Sequence, residues 1–220
     1  GEDHISNTPK QMLIYKALEW TIPKFGHLPM ILGSDGKRLS KRHGAKGTSE
    51  YKDLGYLPDT LINYLALLGW NPGNDDEIFD FNYLKENFSL DKVNKKSAVF
   101  DNTKLEWVSS QNIFKISAAK LVDIASEFDP TWCGEGHSLE YLVKVIELIK
   151  DRIKTLSDIK ENAFYFFNHP TEYDEAAMKK CWGENTNDIL NSFQEELSQL
   201  DDWNSSNIDE SIKIFDDTAY

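Results

Sequence analysis

The sequence predicts a mainly α protein with a small α/β part. Three observations carry this. Apolar residues recur at helical spacing from Ser117 to the end of the chain. One short apolar run, HLPMIL (His27 to Leu32), reads as a strand and leads into the tight-turn pair Asp35-Gly36. The piece KSAVFD (Lys96 to Asp101) reads as extended. At 220 residues the chain has room for one large domain or two, and its hydrophobic content of 40%, with six Trp and twelve Phe, is enough for real cores.

Taken in order, Thr8-Pro9-Lys10-Gln11 is a helix start. Thr8 can cap, Pro9 suits the first helical position, and Gln11 can complete a capping box, so a helix is expected to about Leu18. The strand, a basic loop and the polar segment AKGTSEYKDLG follow. Pro58 opens a second helix with Leu61, Tyr64, Leu65 and Leu68 on one face, and Gly69 closes it. Residues 71–77 are loop, and a mixed segment with a short helix near Phe81–Asn87 runs to about Trp107. Ser117, Ser138, Thr186 and Ser206 can each cap a later helix. Their stripes are Leu121/Ile124/Ala125/Phe128, Leu139/Leu142/Val143/Ile146/Ile149, Ile189/Leu190/Phe193/Leu197/Leu200 and Ile208/Ile212/Phe215. These stripes are read as core. The change of pattern puts a division near residue 115.

Composition excludes several classes. No run approaches the roughly 18 apolar residues that cross a bilayer. The acidic, polar start GEDHISNTP is no signal peptide, and without an initiating Met the chain is expected to begin inside a longer product. Cys133 and Cys181 flank no ligand spacing and read as reduced cytosolic thiols. His4, His27, His43, His137 and His169 lack metal-ligand spacing, so no protein-bound metal is expected. Net charge is -13, yet residues 24–52 hold seven cations against two anions, whereas residues 171–220 hold three lysines against thirteen Asp/Glu. Local sign governs an anionic ligand at contact distance, because salt screens beyond roughly 8–10 Å.

The stretch Gly33 to Gly44, GSDGKRLSKRHG, sets Lys37, Arg38, Lys41 and Arg42 in a glycine-bounded loop with Ser40 and His43. Closely spaced Lys and Arg on such a loop suit gripping a polyphosphate and neutralising charge as it transfers. On charge alone, a solvated basic hairpin accounts for it equally well.

Four stretches together resemble bacterial glutamyl-tRNA synthetases, a class I aminoacyl-tRNA synthetase family. They are GEDHISNTPKQ (Gly1 to Gln11), HLPMILGSDGKRLSKRHGA (His27 to Ala45), YKDLGYLPDTLINYLALLGW (Tyr51 to Trp70) and SAVFDNTKLEWV (Ser97 to Val108). RLSKR resembles the class I signature loop, and HGA with SNTPKQ points to the glutamate enzyme over its glutamine relative. The resemblance continues more weakly through YLVKVIELIKDRIKTL (Tyr141 to Leu156). The family's HIGH-type motif is absent, Gly26-His27-Leu28-Pro29 being no substitute. The chain also stops where the family continues into a last anticodon-binding subdomain.

The resemblance implies an internal fragment. Residues 1–25 would be the end of the catalytic domain, 26–115 a stem-contact region with the signature loop at 38–42, and 116–220 a helical anticodon-binding region. It implies activation of glutamate with ATP and Mg²⁺, then transfer to the 3′ end of tRNA(Glu), by a cytoplasmic monomer with no membrane partner. Lys41 is implied to stabilise charge growing on phosphate oxygens. Arg38 stands where the family usually has Lys, and Ser40 can donate to a phosphate oxygen. Asp3 and His4 match the stretch near the adenosine; outside a family they would be a capping pair or plain surface. Arg152 matches an anticodon-reading arginine, and is otherwise a cation placed well at a helix C-terminus. Trp132, Trp182 and Trp203 could stack on bases, but their acidic surroundings favour packing. The rival reading is a tRNA-binding module without catalysis of its own.

Overall fold

The computed structural model describes residues 1–40 and 46–219. Two compact units are present, residues 1–168 and residues 169–220.

The first unit begins with a 3₁₀ turn at Glu2–His4 and helix α1 (Thr8–Ala17). Thr8 does not cap α1. Asn7 holds that position without a side-chain bond, and the Thr8 hydroxyl instead meets His27 Nε2 at 2.9 Å and donates to the His4 carbonyl at 3.3 Å. The expected strand over 27–32 shortens to β1 (Ile31–Leu32). The reason is that residues 27–30 are already committed. The Glu2 N–H donates to the Leu28 carbonyl at 2.9 Å, the Met30 N–H donates to Glu2 Oε1 at 3.2 Å, and His27 Nδ1 lies 3.1 Å from the Gly1 carbonyl. β1 pairs in parallel with β2 (Ala98–Val99), Ile31 facing Ala98 and Leu32 facing Val99.

Between the strands lie α2 (Thr48–Asp53), α3 (Pro58–Gly69) and α4 (Phe81–Asn87). α2 is a helix where the sequence reads only as polar; the Glu50 side chain accepts from the Gly47 N–H at 3.1 Å and closes its first turn. α3 runs over the expected residues, but its core face is Thr60, Asn63 and Tyr64, and Leu65 is 51% exposed. Asn63 earns its burial by bonding loop backbone: it donates to the Glu77 carbonyl at 2.9 Å and accepts from the Phe79 N–H at 3.3 Å.

α5 (Asn102–Lys115) turns the mixed segment into helix, capped by Asp101, whose carboxylate accepts from the N–H groups of Thr103 and Lys104. α6 (Ala118–Phe128), α7 (Leu139–Ile149) and α8 (Ser157–Phe167) follow. Ser117 and Ser138 cap α6 and α7 as their sequence predicts. The largest apolar cluster gathers Leu121, Val122 and Ala125 of α6, Leu142, Val145, Ile146 and Ile149 of α7, and Ile159 and Ala163 of α8. Each such large aliphatic side chain contributes about 1.5–3 kcal/mol by leaving water. Leu139, expected inside, is exposed. Trp132 is part of this core, its indole N–H donating to Ser126 Oγ at 3.1 Å, which removes it from the base-stacking candidates.

The second unit holds α9 (Glu175–Cys181), α10 (Thr186–Ser198) and α11 (Ser205–Ala219). Thr186 lies inside α10, with Asn185 at the cap position, and its hydroxyl accepts from the Gly183 N–H at 2.8 Å. Phe193 and Phe215 face each other with ring centres 4.9 Å apart. Ile189 and Leu190, read as core, are exposed, as are Trp182 and Trp203. Cys133 and Cys181 are unpaired, the first buried and the second exposed.

Candidate functional site

The root of the basic loop is a small hairpin built on β1. The Gly33 N–H donates to the Lys37 carbonyl at 2.8 Å, the Gly36 N–H to the Gly33 carbonyl at 3.0 Å, and the Leu39 N–H to the Ile31 carbonyl at 2.9 Å. Arg38 thereby pairs antiparallel with Leu32, which makes residues 37–39 a third partner beside β1 and β2. Asp35 Oδ1 accepts from the Lys37 N–H at 3.0 Å, and Gly36 takes φ +73°, a conformation that Asp-Gly turns use and other residues resist. The predicted turn is where the sequence placed it.

This hairpin brings Arg38 to the first turn of the chain. Arg38 Nη1 lies 3.1 Å from Asp3 Oδ2, with the Arg38 side chain 69% and the Asp3 side chain 26% exposed. His4 Nε2 is 3.9 Å from the same oxygen, and His4 Nδ1 is 3.3 Å from Asn7 Nδ2. So three of the candidate residues, Asp3, His4 and Arg38, converge on one carboxylate. Ser40 follows Leu39 at the end of the hairpin, half-buried. Lys41, with Arg42 and His43, lies outside the described residues.

Glu2 and His27 were not legible as parts of this site. Their bonds reach residues 26 to 28 positions away, and no local pattern announces them. Together they fasten the 3₁₀ turn that presents Asp3 to the strand that roots the loop.

Arg152 belongs to a second place in the same unit. It ends a 3₁₀ turn, Lys150–Arg152, that continues α7. Its neighbours are tied inward. Lys150 Nζ donates to the Ile116 carbonyl and sits 5.3 Å from the centre of the Phe114 ring. Lys154 Nζ pairs with Glu106 Oε2 at 2.8 Å, a bond that pushes the Lys154 ammonium pKa upward. Arg152 is exposed, and among the described residues no ion pair or hydrogen bond engages its guanidinium. The backbone beyond it is held where Leu156 donates to the Gly55 carbonyl at 2.9 Å.

A cavity of about 580 Å³ lies apart from both places, lined among others by Trp70, Asp75, Asp76, Glu77, Asp101 and Lys104. Lys104 pairs with Glu77, so the wall is left acidic and unsuited to a phosphate. Among the described residues no cluster of His, Cys, Asp and Glu could hold a metal ion, and no helix is long and apolar enough to cross a membrane.

Comparison with known proteins gives this geometry its context. Residues 1–107 match the catalytic domain of the class I tRNA synthetases (E and Q), and residues 118–218 match an anticodon binding domain. A glutamate–tRNA ligase of Thermoanaerobacter pseudethanolicus is 37% identical over 216 residues, which cover 97% of this chain and 45% of that protein. One from Campylobacter hominis is 42% identical over 197 residues, covering 90% and 42%. The crystal structure of a glutamate tRNA ligase from Elizabethkingia meningosepticum, in complex with its amino acid, superposes with a TM-score of 0.84 at 30% identity, over 100% of this chain and 47% of that one. The chain thus spans under half the length of these relatives. One part of the chain thus matches the catalytic domain of the class I tRNA synthetases of the glutamate and glutamine group, and the other matches an anticodon binding domain.

Proposed function

We propose that this chain is part of a glutamate–tRNA ligase that activates glutamate with ATP and passes it to the 3′ end of tRNA(Glu). In the first step a glutamate carboxylate oxygen attacks the α-phosphorus, and the bond to pyrophosphate breaks. In the second the terminal ribose of the tRNA takes the glutamyl group and AMP leaves. Negative charge grows on phosphate oxygens in the first step, so cations fixed near them stabilise the transition state more than bound ATP.

The observation that carries this reading is the hairpin at Gly33–Leu39, which roots the loop RLSKR on β1 and presents Arg38 to solvent. Lys41 is the residue assigned to the transferring phosphate, Arg38 and Ser40 to its neighbours, and Asp3 and His4 to the nucleotide side. Mg²⁺ would enter bound to ATP and need not have protein ligands. The division into the end of a catalytic domain (1–25), a stem-contact region (26–115) and an anticodon-binding region (116–220) belongs to the same reading, as do a cytoplasmic setting and a monomeric state.

The test is Lys41→Ala in an intact enzyme carrying this chain. Glutamate-dependent pyrophosphate exchange should slow by about 10²-fold or more, the cost of removing one charge-stabilising donor, with ATP binding changed far less. An exchange rate equal to wild type would reject the assignment.

A second reading, a tRNA-binding module that does no chemistry alone, is favoured by Arg152. An exposed guanidinium held between two internally paired lysines is available to a base edge.

A further inference from the structure

The pair between Asp3 and Arg38 joins two places that the sequence keeps 35 residues apart. Both ends are anchored independently. Arg38 is fixed at its backbone by the antiparallel bridge to Leu32 and by the Leu39–Ile31 bond. Asp3 is fixed by the Glu2 bonds to Leu28 and Met30 and by His27 against the Gly1 carbonyl. The two side chains span the gap between these anchors. Asp3 also draws His4 Nε2, at 3.9 Å, so its carboxylate gathers both side chains at this corner.

A guanidinium carries five N–H donors, more than one carboxylate takes up, and it accepts phosphate in the same planar fork geometry as carboxylate. A phosphate reaching the loop therefore meets a cation that already has an anion in place. Resting on the reading of the loop as a polyphosphate binder, we propose that Asp3 is a positioning residue: it holds Arg38 at the loop root while the site is empty, and it gives up the guanidinium to phosphate oxygens on binding. The carboxylate sets where Arg38 waits, and it sets an affinity below what the loop's cations would reach unopposed. Arg suits this exchange better than Lys, because its planar fork grips carboxylate and phosphate with the same geometry, so one partner can replace the other.

The experiment measures binding of inorganic tripolyphosphate to the full 220-residue chain by calorimetry, at fixed salt. Asp3→Asn should tighten binding about threefold, the size expected for release of an exposed ion pair. Asp3→Glu, which keeps the charge, should bind as wild type does. Arg38→Ala should weaken binding, and in that background Asp3→Asn should have well under half its effect. Equal tightening with and without Arg38 would overturn the proposal, because Asp3 would then act only by repelling the ligand. Weaker binding in Asp3→Asn, with Asp3→Glu normal, would overturn it too. If instead Arg38→Ala binds as tightly as wild type, the assignment of Arg38 to phosphate falls first, and the proposal with it.

Discussion

Tyr64 shows how one side chain can join three elements. Its hydroxyl donates to the Asp101 carbonyl at 2.8 Å and accepts from the Asp101 N–H at 2.7 Å. Asp101 in turn caps α5 and stands one residue, Phe100, beyond β2, so α3, the segment leaving the sheet and the start of α5 share one polar knot inside an aromatic cluster with Tyr51 and Phe100. Burial, ahead of a nearby carboxylate, pushes the Tyr64 pKa up to about 12 from 10.0. The folded-state value is raised, so the neutral hydroxyl stabilises fully below the unfolded value and loses that contribution as pH climbs to the folded one. Stability should therefore fall between about pH 10 and 12, with Tyr51 and Tyr56, raised by their own burial, adding to the drop. Tyr64→Phe should start about 1–3 kcal/mol less stable, since the Asp101 N–H loses its buried acceptor, and should lose less across that window. Urea unfolding at a series of pH values measures both; an equal alkaline drop in wild type and Tyr64→Phe would count against the account.

Among the elements, the joint between α2 and α8 leaves no room for a side chain at Gly55. Gly55 follows α2 with φ +80°, and a Cβ there would lie 2.7 Å from the Ser157 nitrogen and 2.8 Å from the Leu156 nitrogen. Both obstacles are backbone, so the strain cannot be relieved by a side-chain rotation. Gly55 also accepts the Leu156 N–H. The turn that carries Arg152 is thus seated on the first half of the unit by Gly55, by Glu106 through Lys154 and by the Ile116 carbonyl through Lys150. Gly55→Ala should cost about 2–4 kcal/mol, combining a left-handed backbone without glycine and a displaced contact. Thermal unfolding reads this directly, and a change below about 0.5 kcal/mol would mean that the joint gives way easily.

For the molecule as a whole, charge is distributed by unit. Residues 171–220 carry thirteen acidic groups against three lysines, while the seven cations of residues 24–52 lie in the first unit with Arg152. Phosphates of an RNA should therefore engage the first unit. The intact chain should bind tRNA with log K falling linearly in log salt, by roughly 0.7–0.9 per phosphate neutralised. Arg152→Ala should weaken binding of a tRNA(Glu) transcript by about 1–3 kcal/mol and make binding indifferent to the anticodon base it contacts, while leaving the salt slope nearly unchanged. Filter binding with transcripts altered at each anticodon position tests this; full retention of base preference in the variant would remove Arg152 from the interface.

What could be read in advance is what near neighbours in the chain carry. The caps at Ser117 and Ser138 act within three residues, the Asp35-Gly36 turn within five, and the apolar stripes of α6 and α7 follow from 3.6-residue geometry applied to adjacent turns. The same logic misjudged Leu65 and Leu139, because periodicity identifies an apolar face but not the neighbour that covers it. It also left α2 and α5 unread, since their helical state draws on Glu50 closing a first turn and on Asp101 held by Tyr64. Asp3 against Arg38, Tyr64 against Asp101 and Gly55 against Leu156 were decided only when distant segments met. Such pairs arise from three-dimensional packing, which closes long loops at an entropic cost and leaves no local pattern in the chain.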